Sequence, residues 1–366
     1  MMIDRKIYRD FDKTLLFIAL FIFTIGLLSI YSATQAKGLP LAESYVARQA
    51  SWMAVGIILL AIVINISYQK FVDLSYPLYF INVVLLILVL AIGHVRGGAQ
   101  RWFSLGGFAF QPSEFIKLNL ILVIANYVGM KRASMGGLRD IVIPCILLFI
   151  PFALVILQPD LGTALILLPV FFSILFIGGA GSKYLIAMIS LGILSLPFFW
   201  GLLREYQRQR LLVFLNPNID PLGAGYTIIQ SKIAVGSGGL LGKGWLAGTQ
   251  NQLNFLPERH TDFIFSVVGE EWGLLGAIVL TFLYFIIVKK AFTIASLTTD
   301  IYGKAIAVGI GVMIALQVII NVGMTIGLMP VVGIPLPLVS YGGSSLITTL
   351  IAIGLLLNIG MRRSRF

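Results

Sequence analysis

The chain has 366 residues, 58% hydrophobic and only 11% charged, with a mean hydropathy of +0.98 and a formal net charge of +11. A soluble domain carries about 25% charged residues, so a water-soluble globule is excluded and lipid must be the solvent. The positive balance fits loops beside anionic lipid and an anionic substrate rather than nucleic acid, while Cys145, His94 and His260 offer no internal disulfide and a poor metal-ligand set.

A hydrocarbon core of about 30 Å needs about 20 helical residues. Ten apolar runs meet that need, near 15–33, 51–66, 76–93, 115–129, 141–157, 162–178, 184–202, 263–288, 305–327 and 345–361. The expected fold is an all-α polytopic membrane protein of about ten transmembrane helices, with a long outer loop between helices 7 and 8. The first run has the flanks of a signal peptide, but its length and the spans that follow make it a retained anchor. Residues 1–366 read as a single integral membrane domain.

Lys and Arg in alternate loops give the orientation. With the N-terminus inside, the inner segments carry Arg5, Lys6, Arg9, Lys13, Lys70, Lys131, Arg132, Arg139, Lys183, Lys289, Lys290, Lys304, Arg362, Arg363 and Arg365. The short outer loops hold Lys37, Arg48, Arg96 and Arg101. That asymmetry places both termini in the cytoplasm, and the long stretch 203–262 outside.

The polar residues with chemical content then gather on the outer side. Arg48 precedes the second span and Arg101 lies in the second outer loop. Glu114 and Lys117 stand three apart on the fourth helix, either as a self-neutralising pair or as a functional one. Asp160, in Gln158-Pro159-Asp160-Leu161-Gly162-Thr163, fits a helix cap, a substrate contact, or both. The long loop carries Tyr206-Gln207-Arg208-Gln209-Arg210, Gly223-Ala224-Gly225-Tyr226, and a glycine-dense run from Gly236 to Trp245 around Lys243. Backbone N–H groups of such a run can approach an anion, although glycine-rich turns need no ligand. Leu256-Pro257-Glu258-Arg259-His260-Thr261-Asp262-Phe263 joins two carboxylates, an imidazole and a guanidinium at the membrane surface. That set suits acid–base work on a polar substrate with a lipid tail; a capping reading, with Thr261 or Asp262 at the N-cap, is equally open.

Gly98-Ala99-Gln100-Arg101-Trp102, Gln111-Pro112-Ser113-Glu114, the Gln158 to Thr163 run, Tyr206 to Arg210, Leu256 to Phe265 and Pro335-Leu336-Pro337-Leu338-Val339-Ser340-Tyr341-Gly342-Gly343-Ser344 together resemble the shape, elongation, division and sporulation (SEDS) family, in order and over nearly the whole chain. Gly248 to Leu253 and Arg259 resemble its rod-shape member more than its division member. The resemblance implies a peptidoglycan glycosyltransferase that polymerises lipid II into β-1,4 glycan strands. It would work on the outer face of the bacterial cytoplasmic membrane, for elongation and rod shape, with a class B penicillin-binding protein. The partner's membrane helix is expected on helices 8 and 9, along 275–287 and 306–320. The family's essential outer-loop aspartate matches Asp262, and its second-loop and fourth-helix charges match Arg101, Glu114 and Lys117. No cofactor is assigned with certainty. A divalent cation is left open, although Asn216 and Asn218 stand where relatives often carry acids, with only Asp220 remaining in that segment.

An α-pyrophosphate donor and a β-linked product require one inverting displacement. That step needs a base for the acceptor 4-hydroxyl and cations for the departing pyrophosphate. Asp262 is the expected base. Arg101, Lys117, Arg210 and Arg48 are expected at the pyrophosphates, with Glu114, Asp160, Lys243 and Glu258 also contacting substrate. The alternative functions are a flippase for lipid-linked precursors, whose polar residues should span the bundle, and a scaffold, which would not need the acid–base cluster.

Overall fold

The structure, a computed structural model, describes residues 10–35, 44–96, 99–105, 108–131, 135, 137–203, 205–223 and 225–362. Of the residues named above, Arg5, Lys6, Arg9, Lys37, Gly98, Arg132, Ala224, Arg363 and Arg365 lie outside the described residues. The chain begins with α1 (Lys13–Thr34), α2 (Tyr45–Asn65), a short α3 (Tyr68–Asp73) and α4 (Ser75–Ile92). Strands β1 (His94–Arg96), β2 (Ala99–Leu105) and β3 (Phe108–Phe110) follow, then α5 (Pro112–Met130), α6 (Leu138–Leu157), α7 (Leu161–Ile177) and α8 (Ser182–Leu202). The long loop holds α9 (Glu205–Leu215), α10 (Tyr226–Ser237) and α11 (Thr249–Gln252), and leads into α12 (Ile264–Leu297), α13 (Ile301–Thr325) and α14 (Gly343–Arg362).

Every expected span is met by a helix. Among the described residues, 8 helices are long and apolar enough to cross a membrane, and the shorter apolar helices Leu161–Ile177 and Ser182–Ser195 supply the sixth and seventh spans. The starts follow local chemistry. Asp12, Ser44 and Asp300 accept from Leu15 N, Ala47 N and Gly303 N at the heads of α1, α2 and α13, satisfying donors that a first turn leaves unpaired. Helix α12 runs on to Leu297 instead of ending near 288. Its C-terminal end is tied to the start of α1, with Lys290 Nζ 2.8 Å from Asp12 Oδ2, so Lys289 and Lys290 end the apolar run without ending the helix.

Two features differ from the expectation of helices and loops alone. The loop between α4 and α5 forms a three-stranded antiparallel sheet in the order β1-β2-β3, with Phe103 opposite Phe110 and Leu105 opposite Phe108. In the sequence these strands are separated by Gly97-Gly98 and Gly106-Gly107, a two-residue hairpin signal flanked by aromatic residues. Helix α12 is also broken at Gly273, where φ is 65° and ψ −163°.

The bundle centre is α5, α13 and α14. Nearly all of α14 and most of α5 and α13 are buried, whereas α4, α6, α8 and α12 carry apolar skin. Phe282, Phe285 and Leu194 are exposed by 59%, 58% and 77%, which lipid solvates and water would not. Helix α13 packs against α12, α7 and α5, so its residues 306–320 are mostly covered, unlike the exposed face of α12. The end of the bundle that carries the C-terminus of α14 is tied together: Tyr68 N donates to Asn358 Oδ1 (3.1 Å), Tyr68 OH to Asp300 (2.9 Å) and Arg362 to Asn358 Oδ1 (2.6 Å).

Candidate active site

Residues 254–263 form consecutive tight turns at the N-terminal end of α12. Asn254 and Glu258 adopt left-handed backbone, with φ of 60° and 49°, a conformation that costs about 1–2 kcal/mol for a side-chain-bearing residue. Neighbouring elements hold it there through three successive carbonyls. Tyr341 N donates to His260 O (2.9 Å), Ser340 Oγ to Thr261 O (2.6 Å) and Asn321 Nδ2 to Asp262 O (2.9 Å). Asn321, fully buried on α13, also donates to Ile334 O (2.7 Å). Gln49 of α2 donates to Ser340 O (3.1 Å) and accepts from Gly342 N (3.2 Å), fastening the Pro335–Ser344 segment from the other side. Arg259 is 6% exposed; its Nε donates to Ala33 O (2.7 Å) and a second nitrogen to Asn254 Oδ1. Ala33 lies in the last turn of α1, where the helix dipole favours a cation.

Asp262 is therefore fixed through its backbone, leaving its carboxylate for other work. It does not cap α12: Phe263 occupies the N-cap, and no side chain bonds there. Burial pushes the Asp262 carboxyl up from 3.8 to about 6, and Glu258 pushes in the same direction. Arg210 and Arg101 pull it down, and Asp160 adds a smaller push upward. A Cβ on Gly333, whose φ is 72°, would stand 3.4 Å from Asp262 Oδ2, so the backbone of the 328–334 segment passes directly beside the carboxylate.

Arg101, on β2, donates through Nε to Gln158 O (2.8 Å) and through a second nitrogen to Pro159 O, with a third 3.8 Å from Asp160 Oδ1. Asp160 caps α7 by accepting from Thr163 N (3.2 Å) and also receives Thr163 Oγ1 (3.0 Å), Ser113 Oγ (3.2 Å) and Gln111 Nε2 (3.4 Å). It is both a cap and a member of the charged group around Asp262. Glu114 and Lys117 are buried on the first turns of α5 and form an ion pair, Nζ to Oε2 2.9 Å. Arg210 is exposed on α9 and reaches Val331 O (3.5 Å). Arg208 bonds Trp200 O (3.0 Å) and Gly201 O (2.6 Å), capping the outer end of α8. Arg48 is exposed on α2.

The glycine-dense run, open above between an anion cradle and a ligand-free turn, serves the break in α12: Lys243 N donates to Glu270 O and Gly244 N to Glu271 O, both at 3.0 Å. In return Leu274 N donates to Gly239 O (2.9 Å) and Leu275 N to Leu240 O (3.1 Å). The loop thus satisfies polar groups that a helix break would leave bare in lipid, each worth several kcal/mol. Gly273 is required: a Cβ there would lie 2.3 Å from Gly242 N. Lys243, expected as a substrate contact, instead points its charge at Glu270 (Nζ to Oε1, 2.8 Å) and at Thr249 Oγ1 (2.8 Å). Glu270 also accepts from Gln250 N (2.9 Å) and Asn251 N (3.3 Å), capping α11, and the adjacent Glu271 accepts from Ser32 Oγ and Asn251 Nδ2. In the segment 215–221, Asn216 accepts from Asn218 N and Asp220 from Gly223 N (3.0 Å), both as turn caps.

The family described as "Cell cycle protein", the FtsW, RodA and SpoVE group, matches residues 12–365. This chain belongs to that family. Its FtsW/RodA/SpoVE membership is supported over full length by a relative from Escherichia coli K12 named "Peptidoglycan glycosyltransferase MrdB". The two are 40% identical over 353 residues, covering 96% of this chain and 94% of that protein. Among solved structures, a chain from a peptidoglycan synthase complex, described in terms of polymerization and crosslinking, superposes with a TM-score of 0.82. It is 35% identical and covers 97% of this chain and 99% of its own. The crystal structure of the rod shape determining protein RodA from Thermus thermophilus gives a TM-score of 0.73 at 31% identity, covering 97% of this chain and 98% of that one.

Set against the sequence reading, this FtsW/RodA/SpoVE chain brings Asp262, Glu258, Arg210, Arg101 and Asp160 into one electrostatic group, keeps Glu114 with Lys117, and removes Lys243 to the α12 break. Asn321, Gln49, Glu270 and Glu271 escaped that reading. The paired acids inside an apolar run were a visible signal; Asn321 and Gln49 gave none.

Proposed function

We propose that this chain polymerises lipid II into β-1,4 glycan strands at the outer face of the cytoplasmic membrane, with Asp262 as the general base. The observation that carries the reading is a half-buried carboxyl raised to about 6, flanked by two arginines and backed by two further carboxylates at the mouth of a membrane bundle. The family relationship to proteins named peptidoglycan glycosyltransferases supports the same chemistry. The protein is a multi-pass protein of the bacterial inner membrane and a peptidoglycan glycosyltransferase serving rod shape.

In the proposed step Asp262 takes the proton of the acceptor 4-hydroxyl as its oxygen attacks the anomeric carbon, inverting α to β and expelling the lipid pyrophosphate. A carboxyl titrating near 6 is ionised at neutral pH yet more basic than an ordinary aspartate, as a general base requires. Arg210, an exposed cation whose charge acts on Asp262, would receive the leaving pyrophosphate. Arg101 would add a second charge, held rigid by Gln158, Pro159 and Asp160, and Arg48 a third. Lys117 would contribute from the Glu114 pair, Asp160 would orient Arg101, and Glu258 would tune Asp262. The Lys and Arg asymmetry carries the reading that both termini are inside, and the ion pair between Asp12 and Lys290 puts the C-terminal end of α12 on the same side as the start of α1.

The penicillin-binding partner is placed against α12 rather than equally on α12 and α13, because Leu275, Ile278, Val279, Phe282 and Phe285 are exposed while α13 contributes mainly Ile319. Purified protein, with and without the transpeptidase, incubated with lipid II and scored for glycan polymer tests the function. Absence of polymer together with lipid II translocation in vesicles would move the chain to the flippase class.

A further inference from the structure

Beside Asp262 lies a group of rings that the proposed chemistry does not use. Tyr45, at the outer end of α2, meets His260 at 4.7 Å between ring centroids and Tyr341 at 4.9 Å, both edge to face, while His260 and Tyr341 are 5.9 Å apart. The three rings come from three separate parts of the chain: a helix end, the turn that carries Asp262, and the Pro335–Ser344 segment. Tyr45 and Tyr341 each pack one side on the bundle core, and all three remain partly exposed. Two of them are locked to the same backbone as the carboxylate. Tyr341 N donates to His260 O, and Ser340 Oγ to Thr261 O, the residue before Asp262.

We propose that Tyr45, His260 and Tyr341 form an aromatic platform for the pyranose ring that bears the attacking hydroxyl; the proposal rests on the glycosyltransferase reading above. A 1,4-linked pyranose with equatorial substituents presents axial C–H groups on its faces and hydroxyls around its rim. Those C–H groups are weakly positive and poorly hydrated, and the face of an aromatic ring is its negative pole. Tyrosine supplies such a surface at little entropic cost, having two side-chain torsions. The charged groups around Asp262 suit the pyrophosphate; the rings suit the uncharged sugar. Because the rings and Asp262 share one hydrogen-bonded frame, a sugar resting on the platform is bound beside its base, and that binding is the same before and during the reaction.

The test uses the full-length protein with its transpeptidase partner. Polymerisation is measured against lipid II concentration for wild type, Tyr45→Ala, Tyr341→Ala, Tyr45→Phe and Tyr341→Phe. In parallel, saturation-transfer NMR follows a soluble β-1,4-linked, N-acetylated tetrasaccharide. The alanine variants should raise KM about tenfold, the loss of one good aromatic contact, with kcat within a few-fold, an unmoved pH profile and no saccharide signal. The phenylalanine variants should behave as wild type, since the ring and not the hydroxyl is required. Folded alanine variants with unchanged KM and unchanged saccharide signal would overturn the platform, as would phenylalanine variants impaired as badly as alanine. Where an alanine variant does not fold, leucine keeps the apolar bulk without a π face and should show the same KM rise. If wild type makes no polymer, the glycosyltransferase reading fails, and saccharide binding alone decides the platform: signal lost in Tyr45→Ala sustains it, and no signal with wild type rejects it.

Discussion

Asp262→Asn keeps size and hydrogen-bonding capacity while removing basicity, and the structure gives it two separable consequences. Loss of a positioned base costs about 10²–10⁴-fold in rate, or about 3–5 kcal/mol of barrier. The second consequence concerns folding. The Asp262 carboxyl is raised from 3.8 to about 6, chiefly by burial, so between those values the folded state holds a proton that the unfolded state has released. Stability therefore falls as pH rises through that window, and at neutral pH the wild type bears the whole penalty. It amounts to at most about 3 kcal/mol, and less to the extent that water screens a half-buried group. Asparagine never ionises, so the variant should be inactive in the lipid II assay yet unfold at a higher temperature than wild type at pH 7.5. The stability gain should vanish near pH 3, where both forms are neutral. Polymer within a few-fold of wild type would end the base assignment and direct attention to Glu258. Inactivity accompanied by a lower thermal midpoint would mean that the substitution had damaged the fold instead.

Glu258→Gln removes a charge that raises Asp262, so the acid limb of the rate–pH profile should move to lower pH. Arg210→Ala removes an opposing charge and should move it to higher pH; shifts of the same sign would contradict the electrostatic assignment. Gly273→Ala places a methyl 2.3 Å from Gly242 N at a φ of 65°, and should destabilise the outer half of α12 by about 1–3 kcal/mol, read as a lower thermal midpoint and faster proteolysis within 238–246. In a Cys145→Ser background, a cysteine at Ser237 should react with an impermeant thiol reagent in spheroplasts, and protection there would reverse the proposed orientation. Photo-crosslinkers at Ile278 and Phe282 should capture the transpeptidase, whereas capture only from α2 and α4 would relocate the partner.

Composition and period alone determined that this chain is an all-α polytopic membrane bundle, because an apolar run long enough to cross lipid has no other stable form. The charge group was legible for a related reason: Asp262, Glu258, Arg210 and Arg101 are ionisable residues at span ends, where any charge is conspicuous against an apolar background. Their electrostatic values were not legible, since the rise of Asp262 to about 6 depends on burial by segments distant in the chain. Asp160 and Thr163 formed the cap that their spacing announced, but Asp262 left its own helix uncapped because Asn321 and Ser340 hold its backbone from α13 and the Pro335–Ser344 segment. A lysine among glycines reads locally as an anion site. Only the fold brings Lys243 to Glu270 and the glycines to the break at Gly273, because the partner of a backbone N–H or a buried charge is chosen by three-dimensional neighbours and leaves no trace in sequence spacing.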